Sequence, residues 1–445
     1  MPQSQDGKLS LVGSVSLGTG VMIGAGIFAL VGQVAELAGT WMPLAFVAGA
    51  VVVGFSAYSY VRYSSANPSS GGIAMILTSA YGPGVIAGSF SLFMYVSMVI
   101  AQSILGRTFG TYVLRPFGQQ DSTVLVPALG VVAIAAAALV NLLGNRWVEG
   151  SATVTAAVKI VGIAALAIAG ILASGVSAFS ALWSGTAEQS DSNSGLLGFL
   201  ASITLCVLAY KGFTTITNQG ADLREPERNL GRSITLAILL CTVLYLLITV
   251  AVAGSLDVPQ IVEARDYALA AAAEPLFGVW GTRLTVAVAV VATLSGLLAS
   301  IYAVSRLYDM LLDMQLAPGL PSPVRHQSLV ITAGLAILVT VFLDLTQLAA
   351  LGALLYLSMD IAIHAGLIRH LHQDVDARRW VPAVAILLDL VIVIAFIVVK
   401  LRTDPLTLMV VAAVAGAVVL LQVLLVRHRA RTEDQESETN QPHGS

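Results

Sequence analysis

Residues 18–32 read GTGVMIGAGIFALVG. The stretch is apolar enough for a membrane interior, yet it places glycine every few residues where a spanning helix favours leucine. GTGVMIGAG superficially matches a glycine-rich nucleotide fingerprint. That motif needs a preceding strand and a following soluble helix, and the flanking sequence offers neither. A small-xxx-small face, which lets membrane helices approach closely, accounts for Gly20 and Gly24. A discontinuous helix accounts for Gly24, Ala25 and Gly26 falling about halfway along the run. Interrupted backbone at a bilayer midplane offers N–H groups to an anion and carbonyls to a cation. It is tolerated there only where protein or a water-filled cavity surrounds it.

The rest of the chain fixes the solvent. Of 445 residues, 57% are hydrophobic and 11% charged, against about 25% charged in a soluble domain. Runs of about 20 apolar residues recur, each long enough to cross a hydrocarbon core of roughly 30 Å. They do not alternate as barrel strands would, so the fold class is all-α integral membrane. A net charge of −3 and the lack of a basic, aromatic-rich segment give no support to nucleic-acid binding. Cys206 and Cys241 sit inside apolar runs and read as small core residues. The short polar N-terminus is followed by no small-residue cleavage site, so the first run reads as a true span.

Twelve spans are expected, near 11–37, 42–63, 84–113, 124–143, 149–173, 196–221, 231–254, 280–312, 328–344, 347–369, 381–400 and 406–426. Segments 174–195 and 255–279 read as long loops. A short amphipathic piece ended by Gly82 and Pro83 lies between the second and third spans. With the N-terminus inside, 14 Lys and Arg fall on inner segments and six on outer ones, and the 174–195 loop has none. The positive-inside rule therefore makes both termini cytoplasmic. Residues 1–10 form a cytoplasmic N-terminus, and the polar 427–445 stretch is expected to be a disordered cytoplasmic tail.

The sixth run matches the first. Residues 205–229 read LCVLAYKGFTTITNQGADLREPERN: apolar up to Gly212, then Phe213, Thr214 and Thr215, then polar. Spans one and six open two five-helix sets, 11–173 and 196–369, with 381–426 as two additional helices. Interruptions at matching places in two halves point to a transporter with inverted repeats.

GAGIF in the first span and AYKGFTTITNQGADLREPERNLGRSI across the sixth resemble the amino acid–polyamine–organocation (APC) superfamily. So do NPSSGGIAMILTSAYGPG after the second span and LSGLLASIYAVSRLYDM in the eighth. The nearest likeness is to bacterial cationic-amino-acid-transporter-like permeases, over roughly residues 10–315. The resemblance implies a LeuT-type 5+5 fold with broken helices 1 and 6, and alternating-access transport of an amino acid or related small amine across the cell (plasma) membrane. It implies that N–H groups of Gly24, Ala25, Gly26 and Ile27 hold a substrate carboxylate. Carbonyls near Met22, Ile23, Ala209 and Tyr210 would hold its amino group. Phe213 would close over it, with Gly212 and Thr214 beside it.

Two lysines lie inside spans. Lys159 is about ten residues into the fifth, roughly 15 Å deep at 1.5 Å per residue. That is far to snorkel, and intramembrane charges default to functional hypotheses. Proton-coupled members of the superfamily carry a lysine here where sodium-coupled relatives bind an ion. Lys159 is therefore expected to replace sodium, bonding carbonyls of the first break and exchanging a proton, with Ser295 or Ser300 as a further partner. Lys211 departs from the family pattern and either faces the cavity or pairs with an acid. In the cavity it would repel dications, which counts against polyamines. Asp360 and His364, four apart, share a helix face; they read as a structural pair, with proton relay as the alternative. Asp389 reads as a packing or pairing acid. Glu225, Glu227 and Arg228 read as a gating or structural ion-pair network.

The chain carries no Walker loop, zincin motif or paired catalytic acids, so neither an enzyme nor a cofactor or metal is expected. It also lacks the repeated pore helices or charge rings of a channel. An exchanger, a sodium-coupled importer and a transport-dead sensor remain alternatives to proton-coupled symport.

Overall fold

A computed structural model describes residues 9–67, 72–143, 145–175, 195–218, 220–320, 326–371 and 374–439. The helices are α1 (Leu11–Met22), α2 (Phe28–Ala38), α3 (Met42–Ala66), α4 (Gly72–Tyr81), α5 (Val85–Leu114), α6 (Leu125–Leu143), α7 (Asn145–Ser174), α8 (Leu196–Tyr210), α9 (Phe213–Thr217), α10 (Pro226–Ser255), α11 (Val258–Glu263), α12 (Ala268–Asp313), α13 (Gln327–Phe342), α14 (Leu345–Gly366), α15 (Trp380–Thr403) and α16 (Pro405–Thr439). The described residues form no strand; a single β-bridge joins Leu9 to Leu223.

Local sequence sets the boundaries. Gly39, at φ +57°, makes the turn between α2 and α3, a conformation few other residues tolerate. Pro43 then starts α3, where the missing N–H costs nothing. Asp344 and Gln347 cap each other at the start of α14.

Ten helices among the described residues are long and apolar enough to cross a membrane. The first expected span is split by a π-helical segment, its second half continuing into α3, and α13 is shorter than the rest. Burial separates centre from periphery. The most apolar stretches of Leu196–Thr217 and Leu345–His370 are each 78% buried, that of Pro405–Arg429 only 11%. Helices α5, α8 and α14 thus make the core, and α16 presents its side chains outward.

Three expectations need correction. The 255–279 segment is largely helical. Asp257 and Gln260 form a capping box on α11, and alanine-rich ALAAAAE starts α12, which kinks at Gly278. The last helix runs on to Thr439, so residues 427–439 continue it rather than form a disordered tail; the polar extension keeps good helix formers such as Arg, Glu and Gln. The first break is not unwound: Ile23–Ile27 is a π-helical turn, flanked by right-handed helical φ/ψ at Met22 and Phe28. Residues 1–8, 68–71, 176–194 and 440–445 of the expected segments lie outside the described residues.

Candidate functional site

The two interruptions pack against each other. At Gly212 a Cβ would lie 2.7 Å from the Met22 nitrogen and 2.9 Å from the Gly18 carbonyl oxygen. Glycine is needed there because backbone meets backbone. At Gly24 a Cβ would meet Leu105 of α5 at 2.9 Å and the Ala292 carbonyl of α12 at 3.0 Å. The glycines of the first break therefore serve close packing, while the π turn supplies the irregularity.

The second interruption is a tight turn. Lys211 (φ −53°, ψ −22°) and Gly212 (φ −55°, ψ −17°) have 3₁₀-like dihedrals. Lys211 N–H donates to Leu208 O at 3.2 Å, Thr214 N–H to Lys211 O at 3.0 Å and Thr215 N–H to Gly212 O at 3.1 Å. The Thr214 hydroxyl also donates to Lys211 O, at 2.8 Å.

One hydroxyl ties the breaks together. Tyr245 of α10 lies 2.7 Å from Met22 O and 3.2 Å from Ala209 O, donating its single proton between them. These are two of the carbonyls expected to face a substrate amino group. Tyr210 instead turns its hydroxyl to Phe46 O at 3.2 Å and its ring to that of Tyr245, 5.0 Å away. Ile23 and Ile27 are fully buried; Ala25 lies in the π turn between them. Phe213 is fully buried edge-on to Tyr60 of α3, with centroids 5.3 Å apart. It does not line the cavity beside the break.

That cavity holds about 20 Å³, room for one water; ligand pockets run to about 300–1,000 Å³. Val21, Met98, Ala101, Ala209, Lys211, Gly212, Thr214 and Ser300 are among its walls. This space is thus too small for an amino acid. Lys211 faces this cavity; it donates to Ser97 Oγ and sits 5.5 Å from the Tyr356 ring centroid. Among the described residues no carboxylate pairs with it. Ser97 in turn donates to Gly352 O at 2.6 Å.

Lys159 is buried, with Nζ donating to Gly20 O at 3.3 Å, three residues before the π turn. Neither expected serine joins it among the described residues. Ser295 bonds Val291 O of its own helix at 2.6 Å, and Ser300 lines the Lys211 cavity. Glu225, Glu227 and Arg228 form no ion pair among the described residues. The contact there is Arg306 to Asp222, 3.3 Å, beside Leu9, whose N–H donates to Asp222 O at 2.8 Å. At the other end Arg265 pairs with Glu36 at 3.3 Å and Arg115 with Glu274 at 2.8 Å.

Sequence reasoning missed Tyr245, Ser97 and Gln102. Gln102 is fully buried, with neither amide atom hydrogen-bonded. It stands four residues from Met98 and three before Leu105, on the α5 face that lines the cavity and abuts Gly24. An amide side chain in a run whose other nearby polar residues are mostly serines was its one available signal.

Residues 9–423 match the family model described as amino acid permease. The chain belongs to the amino acid permease family. This permease is 30% identical over 398 residues to the inner membrane transport protein YbaT of Escherichia coli, covering 87% of this chain and 89% of that protein. It is 29% identical to the vacuolar cationic amino acid transporter 4 of Arabidopsis thaliana, over 77% of this chain and 59% of that one. To the serine/threonine exchanger SteT of Bacillus subtilis it is 26% identical, over 65% of this chain and 64% of the exchanger. The permease is accordingly a multi-pass membrane protein of an APC-type transport family.

Proposed function

We propose that this permease is a proton-coupled secondary active transporter for amino acids or related small amines, working by alternating access between two five-helix repeats. The observation that carries the coupling is the bond from the buried Lys159 ammonium to the Gly20 carbonyl. The bond sets an ammonium three residues before the first break, which supports a proton-exchanging role for Lys159 in place of a sodium ion. Protonated, Lys159 holds the α1 backbone; deprotonated, it releases it, so proton loss and the movement of α1 are linked.

Substrate recognition would come from the N–H groups of Gly24 to Ile27 and the carbonyls around Met22 and Ala209. The Tyr245 hydroxyl organises these carbonyls, and a substrate ammonium would bond them beside it. Lys211 on the cavity wall favours substrates with a carboxylate and disfavours polyamines. The charge asymmetry of the loops supports cytoplasmic termini, and we take the cell membrane as the protein's location.

The test is uptake into proteoliposomes of amino acids first picked by thermal shift, driven by a pH gradient or by a sodium gradient, in wild type and Lys159→Ala. We expect pH-driven accumulation that Lys159→Ala abolishes. Sodium-driven accumulation would overturn the coupling. Counterflow without any gradient separates a transporter from a sensor that only binds. Strict dependence on internal amino acid would favour exchange, the activity named for the Bacillus relative.

A further inference from the structure

Away from the interruptions, α3, α14 and α15 enclose a second polar cluster. Asp360 and His364 occupy one face of α14 a turn apart, and Asp389 of α15 stands opposite. All three side chains are fully buried.

Their hydrogen bonds are unequal. Asp360 is well held: Ser56 donates to Oδ2 at 2.6 Å, and the Tyr60 hydroxyl donates to Oδ1. His364 pairs Nδ1 with Ser59 Oγ at 2.8 Å, which turns Nε2 toward the two acids. Nε2 lies 3.5 Å from Asp360 Oδ2 and 3.7 Å from Asp389 Oδ2 and bonds neither. Asp389 has no hydrogen-bond donor on either oxygen. From α3 the cluster is faced by Ser56, Ser59 and Tyr60, and from α14 by Tyr356. No Lys or Arg among the described residues pairs with either acid. Lys211 reaches only the Tyr356 ring.

Two buried carboxylates with no cation are costly, because neither the bilayer nor the packed core solvates a bare charge. One proton on the line between His364 Nε2 and Asp389 Oδ2 fills both empty positions at once. It also leaves as the one charged acid Asp360, which hydroxyls already solvate. A divalent ion would balance the charge too, since one ligand atom from each residue lies within 4.8 Å of the others. Yet the neighbouring groups are the hydroxyls of Ser56, Ser59 and Tyr60, which can pass protons on.

We propose that His364 and Asp389 share an exchangeable proton, forming a second proton-binding site separate from Lys159. It rests on the transporter reading but not on the assignment of Lys159. Tyr60 connects it to the centre: its hydroxyl holds Asp360, while its ring packs on Phe213 at 5.3 Å, just beyond the second interruption. A shift of α9 moves Tyr60 and with it the environment of the proton. Ser59 and Tyr60 are positioning residues in this scheme.

The test is pH-difference infrared spectroscopy of the full-length protein in liposomes. We expect a protonated-carboxyl carbonyl band at neutral pH that vanishes at alkaline pH, is lost in Asp389→Asn and has a shifted midpoint in His364→Gln. Tyr60→Phe should shift the same midpoint without removing the band. If Asp389→Asn does not fold, Asp389→Glu, which keeps the carboxyl, should display the band at a new frequency. A band unchanged in these variants overturns the proposal, as does stoichiometric zinc in purified wild-type protein that Asp389→Asn lacks. The part of the band that Asp389→Asn removes reports on this cluster, whereas the gradient assay reports on coupling, so the two can fail separately.

Discussion

The two interruptions look alike in sequence and are built in opposite ways. GAG in the first sits in a widened π turn at Ile23–Ile27; KG in the second sits in a narrowed turn closed by i-to-i+3 bonds. A π turn takes more residues per turn than an α-helix and a 3₁₀ turn fewer. Each disturbs the regular ladder, and the Tyr245 hydroxyl meets a carbonyl from both sides. Discontinuity in a membrane helix therefore does not require extended chain. A change of winding is enough to turn a carbonyl away from its helix, provided a neighbour meets it.

The comparison breaks most easily at Gly212. Its would-be Cβ meets the Met22 side chain and also the α1 backbone at Met22 N and Gly18 O, which cannot swing away. Gly212→Val should cut uptake by about 100-fold or more, through misplacement of the paired breaks. Gly54, whose Cβ would meet nothing within 4 Å, supplies the control; Gly54→Val should transport normally. Equal activity in both would mean that the interruptions move independently.

Next comes the tie itself. Tyr245→Phe removes the shared hydroxyl and leaves Met22 O and Ala209 O without it. The cost should be about 1 kcal/mol, seen as a lower melting temperature, with uptake reduced about fivefold to tenfold. If uptake instead rose with tighter substrate binding, the hydroxyl would be a competitor of the substrate rather than an organiser of the pair.

Much of the fold was legible because apolar run length is a local property. The runs at 42–63, 84–113 and 381–400 became Met42–Ala66, Val85–Leu114 and Trp380–Thr403. Glycines in mid-run marked both irregular turns, and the pattern carried no information on whether they widen or tighten. Tyr245 was hidden for another reason. It lies in LCTVLYLLITV, where a tyrosine reads as one more core aromatic, and its partner Met22 is 223 residues away. Asp389 likewise read as a packing or pairing acid with no partner named until α15 was set against α14. Helix-to-helix contacts of this range depend on packing, which period and composition do not encode.

Gln102 sharpens the comparison from the third side, where α5 faces the first break. Its amide is buried without partners, a penalty of about 1–3 kcal/mol for each unsatisfied group. Gln102→Leu should therefore raise the melting temperature of the substrate-free protein. It should also shrink the stabilisation produced by the best amino acid in the thermal-shift screen, because a polar group that had awaited the ligand is gone. A stability gain with undiminished ligand response would confine Gln102 to packing.

The smallest effect belongs to the end of the molecule where the segment before α1 meets the segment after α9. Arg306 and Asp222 pair at 3.3 Å there, and both side chains are about half exposed. Exposed pairs contribute roughly 0–1 kcal/mol and fade with salt. The backbone bridge beside them, with Leu9 N–H donating to Asp222 O and Arg224 N–H to Leu9 O, does not depend on either side chain. Arg306→Ala should thus leave the melting temperature almost unchanged and alter uptake less than about twofold, with the difference vanishing at high salt. A large, salt-independent loss would make this pair a latch on the closed state. Control of the two interruptions would then lie at their outer ends as well as at Tyr245.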